Sequence, residues 1–209
     1  LRGLEKRRDE ISALIDGQGK LTEELRAEIE KAEILQRVED LYKPFKQKKS
    51  TRASKAKEKG LEPLADMIWS QEKESGEPLA EAAAFINPEK DVETPEAALA
   101  GACDIIAEKI ADDPEITEKI RDCTRRTGIL CSEAAEPEEK TVYDMYYDYS
   151  EPVSKIPNHR ILAINRGEKA KKLKVKLQMD ADAVHEQICA DVVKNENSIW
   201  REKLEETVT

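Results

Sequence analysis

The residues best suited to hold a phosphate are concentrated at positions 43–59. Lys43, Lys46, Lys48, Lys49, Arg52, Lys55, Lys57 and Lys59 stand there against Glu58 alone, about seven net positive charges in a chain whose formal net charge is −10. Nucleic-acid affinity comes mainly from Lys and Arg displacing condensed counterions. An acidic chain can therefore engage such a polyanion only locally, and this stretch is where it could do so. Ser50 or Thr51 can cap a helix that follows. The unsatisfied N–H groups at a helix start, together with the helix dipole, also favour an anion. The candidate nucleic-acid contacts are Lys43, Lys46, Lys48, Lys49, Arg52 and Lys55. The same residues suit a solvated charged loop, or a loop docked on an acidic surface of a larger protein. Tyr42 and Phe45 either stack on a base or anchor the loop to the core. Tyr42 continues the apolar side of the preceding helix, which favours anchoring.

A second constellation, Tyr149, Glu151, His159 and Arg160, invites a catalytic reading through its histidine. No Ser or Cys nucleophile and no second acid stand at motif spacing beside it, and a triad is defined by geometry rather than by an isolated residue. The expected role is a buried polar network that fixes the turn between an aromatic segment and a helix, with Arg160 or Arg166 alternatively facing a neighbouring domain. The acidic run at 133–139, Asp112-Asp113 and the Asp180/Asp182 pair could suggest Mg²⁺, but carboxylates so placed on loops and caps are usually solvated or capping. Cys103, Cys123, Cys131 and Cys189 form no CxxC pair, and His159 and His185 lie far apart. That gives a zinc site little support and points to reduced, mostly buried thiols. No metal, no cofactor, no small-molecule substrate and no catalytic residue are expected. A phosphoryl-transfer enzyme would need clustered carboxylates around a divalent ion.

The elements that must position these groups are mostly helices. Hydrophobic and charged residues are nearly equal, at 39% and 38%, and aromatics make up only 4%, as in amphipathic helices with solvated outer faces. Leu4, Ile11, Leu14 and Ile15 form a helical stripe that stops at Asp16-Gly17-Gln18-Gly19. Thr22 caps a second helix, with Glu23 and Glu24 in its first turn and a stripe running on through Leu25, Ile29, Leu35, Val38 and Leu41. A short helix from Thr51 to Lys59 ends at Gly60. Another follows over residues 61–70, with Leu64, Ala65, Ile68 and Trp69 facing inward; Trp200 also reads as core. Thr94-Pro95-Glu96 and Asp113-Pro114-Glu115 each launch a helix with proline at its first position, the second ending at Gly128. Residues 128–132 and the alternating Leu173-Lys174-Val175-Lys176-Leu177-Gln178-Met179 read as strands that could pair. Between them lies a helix at 158–165, terminated by Gly167, and the tail returns to helix. No run approaches the roughly 20 apolar residues of a membrane span. Helical patterning reaches both ends without an initiator Met, so a piece of something larger is expected.

Two segments carry a more specific signal. One is Glu39-Asp40-Leu41-Tyr42-Lys43-Pro44-Phe45-Lys46-Gln47-Lys48-Lys49-Ser50-Thr51-Arg52-Ala53 with Glu58-Lys59-Gly60-Leu61-Glu62-Pro63-Leu64-Ala65. The other is Tyr147-Asp148-Tyr149-Ser150-Glu151-Pro152, with Lys155-Ile156-Pro157-Asn158-His159-Arg160 and Asn165-Arg166-Gly167-Glu168. Together they closely resemble the N-terminal helical region of the Tex family of bacterial transcription accessory proteins, which is related to a eukaryotic elongation factor. The resemblance implies a multidomain parent with a YqgF/RNase-H-like domain, helix-hairpin-helix elements and a C-terminal OB-fold RNA-binding domain, none of which is visible in this chain. It also implies a cytoplasmic protein that binds RNA or DNA in transcription, with sibling domains and the transcription machinery as partners. The expected fold is mainly α: an array of helical hairpins with helix-turn-helix-like pairs over residues 1–126, then a small α+β part with two or three short strands over 127–209. This piece would be scaffold and interaction surface. The rival is a pure protein-interaction module, which salt-sensitive nucleic-acid binding would argue against.

Overall fold

A computed structural model describes residues 2–46 and 50–208. In chain order the helices and strands are α1 (Arg2–Asp16), α2 (Glu23–Lys31), α3 (Leu35–Tyr42), α4 (Arg52–Glu58), α5 (Glu62–Ser70), α6 (Pro78–Ala82), α7 (Pro95–Asp112), α8 (Pro114–Thr127), β1 (Ile129–Ala134), β2 (Asp148–Pro152), α9 (Asn158–Lys169), β3 (Leu173–Gln178), α10 (Ala181–Val192) and α11 (Arg201–Val208). The chain is mainly α with a small α+β part, as its sequence predicts. Two compact units are formed, one from Leu1–Thr117 with Gln187–Thr209, the other from Glu118–Glu186.

In the first unit α1, α2 and α3 enclose Ile11, Ile15, Ile29, Ala32, Val38 and Leu41, flanked by Leu4, Leu21, Leu25, Tyr42 and Phe45. Leu14, placed on the inner stripe by periodicity, is 48% exposed. Thr22 caps α2 as expected, its Oγ1 accepting from the Leu25 amide at 3.2 Å. The single helix expected from there through Leu41 is two helices, because the backbone turns extended at Ala32 and Ile34. Arg8 of α1 supplies the reason: its guanidinium donates to the Ala32 carbonyl at 2.6 and 3.2 Å. That carbonyl is thereby satisfied outside a helix. Arg7 then holds α3 through Glu39 at 2.6 Å.

The rest of this unit is organised on α7, whose 18 residues span about 27 Å. Thr94 caps it through the Ala97 amide, and α4, α5, α6 and α11 pack on it. Its inner positions are Ala98, Leu99, Ala102, Ile105, Ile106 and Ile110, small toward its start and branched toward its end. Gly101 lies where a Cβ would come within 2.4 Å of Leu61 Cδ1, so the α4–α5 turn can approach closely. That turn needs glycine at Gly60, where φ is +83°. Trp69 is half-buried rather than core, with Lys109 Nζ 4.3 Å from its ring centroid. Trp200 is fully buried.

Residues 187–209, grouped with the α+β part in the sequence reading, pack with this first unit. Gln71 shows why. It ends α5 in the left-handed region (φ 55°) and is 2% exposed. Its side-chain amide donates to the Val192 carbonyl at 2.8 Å and accepts from the Lys194 and Asn195 amides at 2.8 and 3.0 Å.

In the second unit β1 is central, with β2 and β3 antiparallel on either side; the two strands read from the sequence do pair directly. Pro152 sits at the end of an edge strand, where a missing N–H costs no ladder bond. Lys174 and Lys176 mark the other edge, a usual defence against unwanted pairing. Tyr146, Ile156, Ile164 and Leu173 form the core, and buried Ser132 donates to the Tyr146 carbonyl at 2.8 Å.

Gly167 does not end its helix, which runs on to Lys169 before Lys171 turns left-handed at φ 58°. A Cβ at Gly167 would stand 2.5 Å from Leu173 Cδ1, 2.8 Å from its Cγ and 3.2 Å from Tyr143 Cδ1. The glycine is there for the close approach of β3. Gly167→Ala should therefore destabilise the protein by roughly 1–2 kcal/mol in urea unfolding. Overpacking of about 1–3 kcal/mol outweighs a helix-propensity gain of about 1 kcal/mol. A neutral or stabilised variant would show that Leu173 and Tyr143 yield and that the approach of β3 does not require glycine.

Candidate functional site

The cationic segment leaves α3, crosses a 3₁₀ turn at Lys43–Phe45 and enters α4. Tyr42 and Phe45 pack against the α1–α3 core, and Gln18 Nε2 donates to the Phe45 carbonyl at 2.9 Å. The aromatics anchor the segment. Lys48 and Lys49 lie outside the described residues. Lys43 Nζ donates to the Ala111 carbonyl at 2.6 Å, in the last turn of α7, where the dipole favours a cation. Lys46 and Lys55 are exposed, and neither has a partner among the described residues. Arg52 is 88% exposed, its Nε 3.4 Å from Asp104.

Thr51 caps α4 in a reciprocal box. Its Oγ1 accepts from the Ser54 amide at 3.0 Å while Ser54 Oγ accepts from the Thr51 amide at 2.8 Å. These two amides are committed, so an anion here would be held mainly by side chains. Carboxylates that local sequence could not reveal also face the segment: Asp104 toward Arg52, Glu108 toward Lys57 at 4.0 Å, and Asp91 toward Lys59 at 2.8 Å. Lys59 holds the Asp91 carboxyl below its ordinary range, through the hydrogen bond first and charge second.

The second constellation assembles in part. Arg160 Nη1 donates to Glu151 Oε2 at 2.9 Å and to the Tyr149 hydroxyl at 3.3 Å, and the Tyr149 hydroxyl donates to the same carboxylate oxygen. Tyr149 also meets Tyr146 edge-on, centroids 5.3 Å apart. His159 is exposed and acts on Glu151 only through charge. The group is partly rather than fully buried, with Arg160 43% and Glu151 22% exposed. It ties β2 to α9. Among the described residues, no cluster of three or more His, Cys, Asp or Glu could hold a metal ion. The four cysteines form no disulfide, and Cys123 alone of them is buried. Burial pushes the Cys103 and Cys189 thiols above their usual range.

The Glu151 carboxyl is held below its ordinary value of 4.5, first by the Tyr149 hydroxyl, with burial opposing and Arg160 adding to the depression. A group whose folded pKa is depressed stabilises the fold above its unfolded pKa and loses that contribution as pH falls through the folded one. Thermal stability should therefore decline on acidification below about pH 4.5, and Glu151→Gln should flatten that limb of the profile. A variant profile parallel to the parent's would contradict this role.

No helix among the described residues is long and apolar enough to cross a membrane. Residues 73–207 match the family model described as Tex central region-like. Protein YdcI of Bacillus subtilis is 44% identical over 211 residues, covering 100% of this chain, and Protein tex of Bordetella pertussis is 44% identical over 170, covering 80%. S1 RNA-binding domain-containing protein 1 of Homo sapiens is 28% identical over 211 residues, covering 96%. The chain spans less than a third of these relatives: 29%, 21% and 20% of their lengths. With the family model matching well over half of its residues, the chain belongs to the Tex central region-like family.

Proposed function

We propose that this chain is a non-catalytic scaffold and interaction segment of a cytoplasmic bacterial transcription accessory protein that binds RNA or DNA, and that the cationic segment at 43–59 contributes to that binding. The observation that carries the reading is an aromatic-anchored run of Lys and Arg, exposed at Lys43, Lys46, Arg52, Lys55 and Lys57, on a chain whose net charge is −10. The names of relatives support it. One from Neisseria gonorrhoeae is a Transcriptional accessory protein Tex, and the human relative is named for an RNA-binding domain. Sibling domains and the transcription machinery are the partners this role implies.

The rival is a protein-interaction module, favoured by the pairing of Arg52, Lys57 and Lys59 with carboxylates of the same unit. The two separate on charge reversal of Lys48, Lys49 and Arg52 in the full-length protein. The proposed role requires weaker nucleic-acid binding and a salt slope lowered by roughly one for each phosphate contact removed. Unchanged affinity at low salt would leave the interaction module standing.

A further inference from the structure

Arg52, Lys55 and Lys59 stand at i, i+3 and i+7, on one side of α4 and its C-cap. All three line a cleft of about 360 Å³. Its apolar lining is exposed at Ala97 and Ala100 on the first turns of α7, with Gly101 beside them and Leu61 and Val92, each 1% exposed, as its buried floor. Asp91 and Asp104 also line it, so the cations outnumber the carboxylates by one.

We infer that this cleft is a single-nucleotide pocket for one unit of a bound strand, a reading that rests on the nucleic-acid role proposed above. Arg52 and Lys55 take the phosphate, and the apolar wall takes the base and sugar. The volume lies at the lower end of the roughly 300–1,000 Å³ of small-ligand sites, room for one nucleotide rather than a run of strand. Lys55 has no partner among the described residues. Arg52 is held by one contact of 3.4 Å while 88% exposed, so it can turn to a phosphate at little cost. Lys59 is fixed differently, its Nζ donating to both the Asp91 carboxylate and the Asp91 carbonyl at 2.8 and 2.9 Å, and it sets the far edge of the cleft. An acidic peptide would use the cations but not the apolar wall beside them, which favours a nucleotide.

Ala97 gives the means of test. It is exposed, lines the cleft and carries no charge, so Ala97→Leu fills the space and leaves every cation in place. The protein is titrated with adenosine 5′-monophosphate and, separately, with inorganic phosphate, following amide shifts by NMR. Tighter binding of the nucleotide than of phosphate is expected. Ala97→Leu should weaken the nucleotide about tenfold (one decade in Kd) while sparing phosphate, and Arg52→Glu with Lys55→Glu should weaken both. Nucleotide binding no tighter than phosphate, or unaffected by Ala97→Leu, would overturn the pocket. If the charge variants still weakened strand binding in that case, the cationic segment would keep its role without a pocket. If they did not, the proposed function would fall as well.

Discussion

Trp200→Ala is expected to cost about 3–5 kcal/mol, the range for emptying a buried large aromatic site. Trp200 is fully buried immediately before α11, the helix that packs on α7, and the Leu204 amide donates to its carbonyl at 3.0 Å. Removing the indole leaves a void where α11 docks, and a two-turn helix has little stability of its own with which to close it. Trp200→Phe should cost much less. The indole Nε1 is buried without a hydrogen-bond partner among the described residues, a burden of about 1–3 kcal/mol that phenylalanine removes while keeping most of the volume. Chemical denaturation of the three proteins is the check. A loss for Phe as large as that for Ala would mean that the N–H is hydrogen-bonded and that losing it, rather than the volume, decides.

Gln71→Leu should be the next most damaging change, at roughly 2–4 kcal/mol. Leucine fits the space approximately but offers nothing to the Val192 carbonyl or to the Lys194 and Asn195 amides, all of which bond the glutamine side chain. Leaving buried polar groups unpaired costs about 1–3 kcal/mol each, tempered here because the two amides are only partly buried. The loss should also be local. Hydrogen exchange at residues 192–199 should speed up by a larger factor than exchange in the α1–α3 core. Uniform acceleration across the protein would indicate a general loss of stability instead of a released C-terminal segment.

These two residues also show what the sequence could and could not reveal. Caps at Thr22, Thr51, Thr94 and Asp113 were legible because each acts on amides two or three residues away. Two of the three strands, β1 and β3, were legible, β3 from its alternation; β2 (Asp148–Pro152) was not. The break between α2 and α3 was not, since it depends on Arg8 reaching the Ala32 carbonyl across 24 residues. Gly167 carried an ordinary terminator signal and could be assigned correctly only once Leu173 was seen against it. Gln71 directly follows the helix read at 61–70, and its partners lie more than 120 residues away. The candidate site divides in the same way. Its cations are consecutive and conspicuous, whereas Asp91, Asp104 and Glu108, which temper them, come from 32 to 52 residues further along. In the second constellation Tyr149, Glu151 and Arg160 met as expected because β2 and α9 are neighbours in sequence. His159 fell on the outer face of the same helix turn.

Binding of the chain to short single- and double-stranded RNA and DNA, measured at low and moderate salt, decides whether it bears a nucleic-acid contact surface of its own. Binding that falls steeply as salt rises and is lost when Lys48, Lys49 and Arg52 are reversed to Glu is expected. No binding at low salt would overturn the proposed contribution of residues 43–59 to nucleic-acid binding.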